Sequence, residues 1–370
     1  TRKESSAASD VYKRQSYYSY SNFNPEYKQQ KLQTLKNRRI TSVLSKNLLL
    51  RQTFTILSTT HIIMKKEYIS NASYGGERPL FAIRNLRLRN VTILPGESAL
   101  KECFGIEAVQ CEFTGKYPFW HNEDLLVRNC IFREGARAAI WYCRNLRMVD
   151  TLVEAPKMFR DMDGLKLERV RLPNAQETLW HCRHAELDQV AAGKGDYIFM
   201  HGSDIRINQF RLQGNYSFQY CKNVEIRNAE IHSKDAFWNT ENVTVYDSVL
   251  DGEYLGWHSK NLRLVNCRIS GTQPLCYATD LVMENCSMAE DADLAFEYAS
   301  VQAEISGTVR SVKNPRSGRM VADGYGEIIL DSHCKAPGDC SVETRGAESG
   351  QAAWHPASAG KRISERQYTE

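Results

Sequence analysis

Apolar and polar positions alternate along most of this chain in a phrase that returns every nineteen to twenty-one residues. The phrase reads Asn/Asp-apolar-x-apolar-x-Asn/Asp-small-x-apolar, as in NVEIRNAEI from Asn223 and NLRLVNCRI from Asn261. A fixed period of this length is typical of stacked repeats, each of which buries its apolar edge against its neighbours. Twelve first apolar positions follow the period: Leu86, Ile106, Leu125, Leu146, Leu165, Ala185, Ile205, Val224, Val243, Leu262, Leu281 and Val301.

Within each repeat the apolar residues are spaced as in strands and not as in helices. The alternation of Leu262 and Leu264 slips by one residue before Cys267, and the slip falls on Asn266. Asn and Asp tolerate the left-handed backbone of a sharp bend, so this position predicts a bend between two strands, with stacked side chains that hydrogen-bond along the column. The same slip occurs at Asn90, Gln110, Asn129, Asp150, Arg169, Gln189, Gln209, Asn228, Asp247 and Asn285.

A third apolar segment follows the two strands and contains one aromatic residue per repeat. Three short strands per coil predict an all-β fold, a single-stranded right-handed parallel β-helix of about twelve coils stacked at the interstrand spacing. Segments 68–84 and 309–329 are expected to cap the open edges at its two ends. The aromatic positions are Trp120, Trp141, Phe159, Trp180, Phe199, Phe218, Trp238, Trp257, Tyr277 and Phe296.

The uninterrupted repeat predicts one β-helix domain over residues 64–345, with a disordered tail at 346–370. Residues 1–63 differ, because they carry eleven Lys/Arg against three Asp/Glu, a charge of +8 in a chain whose total is +4. We expect this leader to be non-native or disordered, with the start of the protein at Met64.

Charge and composition disfavour several partners. The basic excess lies in the leader, so the repeat region lacks the basic face that nucleic acid binding needs. The apolar run 48–64 is interrupted by Arg51 and His61, which makes a poor signal peptide and a poor membrane span and favours a cytoplasmic protein. Cysteines such as Cys111 and Cys130 take equivalent inward positions, which predicts buried reduced thiols. No cofactor is expected, and the oligomeric state is not indicated.

A second column lies four residues before each first apolar position. Its neighbours face inward, so the alternation turns this column outward and predicts a polar, aromatic stripe along the rod. Such side chains on stacked coils suit the hydroxyls and ring faces of an extended sugar polymer, and we expect oligo- or polysaccharide binding here, with Arg160 beside the column. The column consists of His121, Tyr142, Asp161, His181, His201, Tyr220, Asn239, His258 and Tyr277.

Catalysis on this stripe is an alternative, as a polysaccharide lyase, hydrolase or epimerase. Glycoside hydrolysis needs two carboxyl groups roughly 5 to 10 Å apart, and the sequence selects no pair. A third hypothesis is a protein-interaction scaffold without catalysis. Asp161, His181 and His201 would span about 9 to 10 Å over three coils, so no metal site is expected. The catalytic candidates are Asp161, His181, Glu177 and Asp196, with Asp235 as a further carboxylate.

Many ordered strings between about residue 67 and residue 331 resemble a bacterial domain-of-unknown-function family, family 3737. That family is similar in architecture to the pectin-lyase-like right-handed parallel β-helices, so the resemblance implies the fold and assigns no activity. Polygalacturonase motifs are echoed only by His201-Gly202 and residues 206–208, and their roles are not transferred. The strings include GKYPFWH at Gly115, LPNAQETLW at Leu172, SKDAFWN at Ser233, GEYLGW at Gly252 and SVKNPRSG at Ser311.

Overall fold

The structure is a computed structural model that describes residues 66–346 and 352–354. It is an all-β solenoid in which successive coils pair through parallel strands. The one 3-10 helix in the described residues is Glu134–Ala136. The predicted parallel β-helix is therefore confirmed. The leader 1–63 lies outside the described residues.

The described residues contain twenty-six strands, joined by turns and short loops. In chain order they are β1 (Glu67–Glu77), β2 (Leu86–Glu97), β3 (Phe104–Val109), β4 (Glu112–Phe113), β5 (Phe119–Trp120), β6 (Glu123–Arg128), β7 (Ile131–Phe132), β8 (Ile140–Trp141), β9 (Arg144–Val149), β10 (Leu152–Val153), β11 (Asp163–Glu168), β12 (Arg171–Leu172), β13 (Arg183–Ala192), β14 (Ser203–Gln213), β15 (Lys222–His232), β16 (Glu241–Tyr246), β17 (Val249–Asp251), β18 (Lys260–Val265), β19 (Arg268–Ser270), β20 (Leu281–Met288), β21 (Ser300–Ser306), β22 (Thr308–Lys313), β23 (Ser317–Ala322), β24 (Gly324–Ile329), β25 (Cys340–Thr344) and β26 (Ala352–Trp354).

The strands stack in the register that the repeat predicts. Ile106 pairs with Leu125, Leu125 pairs with Leu146, and Val224 pairs with Val243, and these anchors are buried. The solenoid has about fifteen turns, because β1 adds a rung before the first predicted coil and β23 and β25 add two after the last. The segments expected to be caps thus contain further strands.

The end of the solenoid differs from the pattern of its middle. Strands β22 and β24 pair in parallel as a separate two-stranded sheet. Strand β26 lies within the segment expected to be a disordered tail and pairs antiparallel with β25. The remainder of 347–370 lies outside the described residues.

Every predicted bend position has a left-handed backbone, with φ between 48° at Asn285 and 56° at Gln110. The amide side chains form ladders along the bends: Asn266 donates to Asp247 at 2.8 Å, and Asn285 donates to Asn266 at 2.9 Å. A second ladder, which the sequence did not predict, runs through the first Asn of the repeated phrase; there Asn261 donates to Asn242 at 2.8 Å.

Left-handed residues in fact occur four to six times in a coil of about twenty residues, more often than the predicted bends. The coils formed by β3–β5 and β6–β8 contain three separate strands, as expected. In β13, β14, β15 and β20 the first two strands of a coil run together as one. Turns form the third side of these coils, because left-handed residues at alternate positions interrupt the ladder there. In one central coil the left-handed residues are His184, Gln189, Lys194, Tyr197, Phe199 and His201.

Replacing Asn266 by alanine is expected to lower the free energy of unfolding by about 1–2 kcal/mol, because Ala at positive φ is strained and two side-chain hydrogen bonds are lost. Urea denaturation measures the effect. Asn266→Gly removes the same bonds without the strain, so it should be less destabilising than Asn266→Ala. Equal losses for the two variants would show that backbone strain does not operate at this bend.

A row of buried side chains, interrupted at Gly256, fills the inside of the third side. The rings of Phe199 and Phe218 stack at 4.5 Å, and those of Phe218 and Phe237 stack at 5.1 Å. The predicted aromatic column is corrected here, because it combined this buried row with the tryptophans at the next position along the chain. The alternating bends point neighbouring residues to different sides. The buried row is Phe119, Ile140, Phe159, Leu179, Phe199, Phe218, Phe237, Leu275 and Phe296.

All eleven cysteines have free thiols, and ten of them are buried. The Cys111 backbone N–H donates to Cys130 Sγ at 3.3 Å, which places the two thiols on successive coils as the repeat predicts. Burial raises the pKa of Cys143 and of Cys221 to about 12, so these thiols are inert packing groups. Within residues 66–346 and 352–354, no helix is long and apolar enough to cross a membrane.

Candidate functional site

The stripe is the row of nine predicted positions from His121 to Tyr277, and every one of its residues has a left-handed backbone, with φ between 52° and 60°. Eight of the nine side chains are exposed, and that of Tyr277 is half-buried. Each backbone N–H donates to the neighbouring coil, as His201 does to the Gln219 carbonyl at 2.9 Å. The bend therefore turns the side chain out while the backbone stays within the ladder.

Aromatic rings of the stripe stack along the rod. Tyr142 stacks on His121 at 5.0 Å, Tyr220 on His201 at 4.8 Å, and Tyr277 on His258 at 4.7 Å. Because the faces of stacked rings cover one another, the ring nitrogens and phenol hydroxyls lie at the outward edges. The stripe thus presents hydrogen-bonding groups at nearly constant spacing.

Tyr298 extends the stripe by one coil, and the sequence pattern did not find it. Its ring lies 5.4 Å from that of Tyr277, and its hydroxyl donates to the His333 carbonyl at 2.9 Å. Tyr298 lies three residues before Val301 instead of four, so a fixed offset selects Glu297 in its place. Counting from Tyr277 by one period of twenty-one residues would have found it.

An inner row of left-handed residues lies four positions before the stripe. Its rings also stack, with Tyr197 and Tyr216 at 4.8 Å, and most of its side chains are half-buried. Asp235 belongs to this row and is buried. The inner row consists of Tyr117, Ala138, Lys157, Glu177, Tyr197, Tyr216, Asp235, Tyr254 and Gln273.

Directly before the stripe residues lies a row that contains five tryptophans, called here the tryptophan row: Trp120, Trp141, Trp180, Trp238 and Trp257. Trp120 and Trp141 stack at 5.3 Å and 9°, and the Trp141 indole N–H donates to the Lys157 carbonyl at 2.7 Å. Arg160 takes the next place, with backbone bridges to Trp141 and Trp180. The sequence prediction placed Phe159 in this row, but Phe159 belongs to the buried row.

Among the catalytic candidates, the structure brings Asp161 and His181 together. His181 Nδ1 lies 3.3 Å from Asp161 Oδ1. Glu177 is held by Lys157, whose Nζ lies 2.9 Å from Oε2 and 3.0 Å from Oε1. Asp196 accepts the Asn215 backbone N–H at 2.8 Å, so it supports a turn beside the stripe.

The three side chains considered for a metal ion do not converge. The rings of His181 and His201 lie 5.4 Å apart, and only His181 contacts Asp161. In the part of the chain that the structure describes, no group of three or more His, Cys, Asp or Glu side chains is arranged to hold a metal ion.

Partial removal from solvent favours the uncharged forms of some stripe side chains by shifting their pKa values. It lowers the pKa of His201, with the nearby His181 adding to the shift, and it lowers the pKa of His258. Burial also raises the pKa of Tyr142, with a further contribution from Asp161. At neutral pH these two imidazoles and this phenol are therefore uncharged. In the inner row, burial raises the pKa of Asp235 to about 6.

Surface grooves of about 540 and 410 Å³ lie on another side of the solenoid, around Ala191 and Arg211. The exposed Ala191 is shorter than its neighbours, which leaves the depression. Charged groups there contact one another, since His232 lies 3.0 Å from Glu230 and 2.8 Å from Asp251. We therefore assign the candidate site to the stripe and not to these grooves.

The family of the chain follows from a profile comparison. A profile described as protein of unknown function (DUF3737) matches residues 67–343. The chain belongs to this family. The match spans the β-solenoid from its first strand to β25 and assigns no activity, and it does not establish the pectin-lyase-like architecture that the resemblance implied. No curated protein matches this chain.

Solved structures give weak similarities. QnrB1, a plasmid-mediated fluoroquinolone resistance protein, is 12% identical with a TM-score of 0.22, and the alignment covers 58% of this chain and 92% of QnrB1. HetL, a pentapeptide repeat protein involved in heterocyst differentiation regulation from the cyanobacterium Nostoc sp. strain PCC 7120, is 10% identical with a TM-score of 0.18. That alignment covers 74% of this chain and 91% of HetL. Similarities at this level carry no argument about this DUF3737 protein.

Proposed function

We propose that this protein is a carbohydrate-binding β-helix whose stripe holds an extended oligo- or polysaccharide. The supporting observation is a contrast between two outward surfaces. On the strand face, outward side chains of adjacent strands form ion pairs, such as Arg147 with Glu168 at 2.9 Å and Arg263 with Glu284 at 2.7 Å. Within the described residues, one ion pair involves the stripe, that of His181 with Asp161.

The chemistry of the stripe suits hydroxyl groups. Imidazole, phenol and amide side chains both donate and accept hydrogen bonds, and they recur at the interstrand spacing of about 4.8 Å. An extended sugar chain that runs along the rod can meet one such group per coil. Half-buried indoles of the tryptophan row, such as Trp141 and Trp257, lie beside these groups and supply apolar contact.

A glycan array followed by tryptophan fluorescence titration tests this proposal. The double variant His201→Ala/Tyr220→Ala is expected to weaken glycan binding by about tenfold or more, because at least one hydrogen bond per coil is lost. Arg263→Ala on the strand face is the matched control and should bind as the natural protein does. If no glycan on the array binds and none changes the tryptophan fluorescence, the proposal is rejected.

Catalysis on the stripe is the second candidate, and the contact between Asp161 and His181 favours it, since a carboxylate beside an imidazole can share acid–base work. Incubation with any glycan that binds, followed by product analysis, distinguishes the two. Turnover that disappears in Asp161→Asn and His181→Gln would make the protein a polysaccharide lyase, hydrolase or epimerase. Binding without turnover leaves a carbohydrate-binding protein, and capture of a protein with no glycan binding would favour the scaffold hypothesis.

We also propose that the protein works in a reducing compartment such as the cytoplasm. The free, buried thiols support this. Nucleic acid and membrane surfaces are not proposed as partners, for the charge and hydropathy reasons given by the sequence.

A further inference from the structure

One guanidinium takes the place of an indole in the tryptophan row. Arg160 Cζ lies 4.4 Å from the ring centroid of Trp141 and 4.4 Å from that of Trp180. Two aromatic faces thus hold the planar group in one orientation, with cation–π contact on both sides. Trp120 and Trp141 stack directly on each other in the same row, so Arg160 continues a stack of planar groups between Trp141 and Trp180.

The same guanidinium lacks hydrogen-bond partners. Its Nε and Nη2 are enclosed and make no hydrogen bond to any residue in the described part of the chain, and Glu177 Oε2 lies 3.8 Å from Nη2. Enclosed charged donors without partners cost stability, so each such group calls for an explanation. The Arg160 side chain keeps 21% of its surface exposed, which leaves one edge open to solvent.

The acids beside Arg160 are engaged by other groups. Lys157 holds Glu177 through both carboxylate oxygens, and His181 contacts Asp161. Glu177 is therefore a long ion-pair partner of Arg160, at 3.8 Å and without a hydrogen bond. The positive charge of Arg160 is left available next to the exposed stripe residues Tyr142 and Asp161.

We infer that Arg160, clamped between Trp141 and Trp180, is the subsite for an acidic group on the bound sugar polymer, a carboxylate or a sulfate ester. This inference rests on the proposed carbohydrate binding and adds the class of sugar. Because Nε and Nη2 are enclosed, the acidic group would approach the exposed edge of the Arg160 side chain. A planar guanidinium of fixed orientation binds an anion with more geometric specificity than an ammonium group does. Tyr142 and His181, on the neighbouring coils, would then contact hydroxyls on either side of the acidic group.

Matched pairs of polymers test the inference: dextran with dextran sulfate, and galactan with polygalacturonate, each titrated by tryptophan fluorescence. Arg160→Gln is expected to weaken binding of the acidic member by about 10- to 100-fold, the loss typical of a hydrogen bond to a charged group, and to leave the neutral member unchanged. Arg160→Lys keeps the charge without the planar fork and should give an intermediate loss. Thermal unfolding of both variants checks that the solenoid remains folded.

Glu177→Gln provides a gain-of-function control, because removal of the negative charge near Arg160 should tighten binding of the acidic polymer. Preference for dextran sulfate alone identifies a sulfate ester, and preference for polygalacturonate alone identifies a carboxylate. Equal binding of neutral and acidic polymers with no effect of Arg160→Gln overturns the acidic subsite and leaves the proposed function standing. Arg160 would then be a planar spacer in the stack. Failure of every glycan to bind overturns both.

Discussion

Replacing Phe218 by alanine is expected to lower the free energy of unfolding by about 3–5 kcal/mol, the usual cost of deleting a buried phenylalanine ring. Phe218 is 0% exposed and lies between Phe199 and Phe237 at ring distances of 4.5 and 5.1 Å. Backbone ladders hold the coils above and below at the interstrand spacing of about 4.8 Å, so the neighbouring rings cannot move together to fill the cavity. Chemical denaturation monitored by circular dichroism measures the loss.

Tyr220→Ala is the matched control for this prediction. Tyr220 lies two residues farther along the same coil, and it is outward and 36% exposed. Its truncation is expected to cost about 1 kcal/mol or less, as for most surface substitutions. A similar loss for both variants would contradict the assignment of the phenylalanine row to the inside and the stripe to the outside.

Asp235→Asn is expected to make the protein more stable at pH 7 to 8, by up to about 3 kcal/mol. Asp235 is 4% exposed, and burial, with a contribution from Glu253, raises its pKa from 3.8 to about 6, against the opposing effect of Lys234. Between pH 3.8 and about pH 6, the Asp235 carboxyl keeps its proton in the folded protein and has released it in the unfolded chain. The contribution of Asp235 to the free energy of unfolding is therefore greatest below about pH 4, and it decreases as the pH rises to about 6.

Denaturation midpoints measured from pH 4 to pH 8 test this sign. The difference between Asp235→Asn and the natural protein should be small near pH 4, grow up to about pH 6, and stay constant above it. Asp196→Asn is the control, since its amide oxygen can still accept the Asn215 N–H, and its stability should follow that of the natural protein. An Asp235→Asn variant that is less stable at pH 8 would show that the charged carboxylate is favoured in the fold.

The sequence predicted the register and the bends because both depend on local chemistry. Alternation of period two sets which residues face inward, and a slip of one residue needs a left-handed backbone, which Asn266 and Asp247 supply at low cost. Even Arg169 and Gln189, which lack that preference, take the same conformation, because their position in the stack requires it. The outward direction of the stripe followed from the same alternation.

The site was harder to predict, since steps of nineteen to twenty-one residues leave a one-residue ambiguity on the third side of each coil. Because of this ambiguity, the sequence analysis placed Phe159 in the tryptophan row, where Arg160 lies, and did not assign Tyr298 to the stripe. Ends of the solenoid were also missed, because the strands there lack the repeated phrase. The lack of hydrogen bonds to Arg160 depends on whether Glu177 lies within hydrogen-bonding distance of Lys157 or of Arg160, and no spacing in the sequence encodes these distances.

Oxidative cross-linking of paired cysteines tests most directly whether residues one period apart are neighbours in space. Val249 and Arg268 are outward partners in β17 and β19, and Ser287 is the partner of Arg268 one coil farther on. Adjacent rungs bring two Cα atoms to about 4.8 Å, within the range that a disulfide allows, whereas two rungs separate them by about 9 to 10 Å. The stacked register predicts rapid disulfide formation in Val249→Cys/Arg268→Cys and none in Val249→Cys/Ser287→Cys. A cross-link in the second variant but not in the first would contradict the stacked register on which the stripe depends.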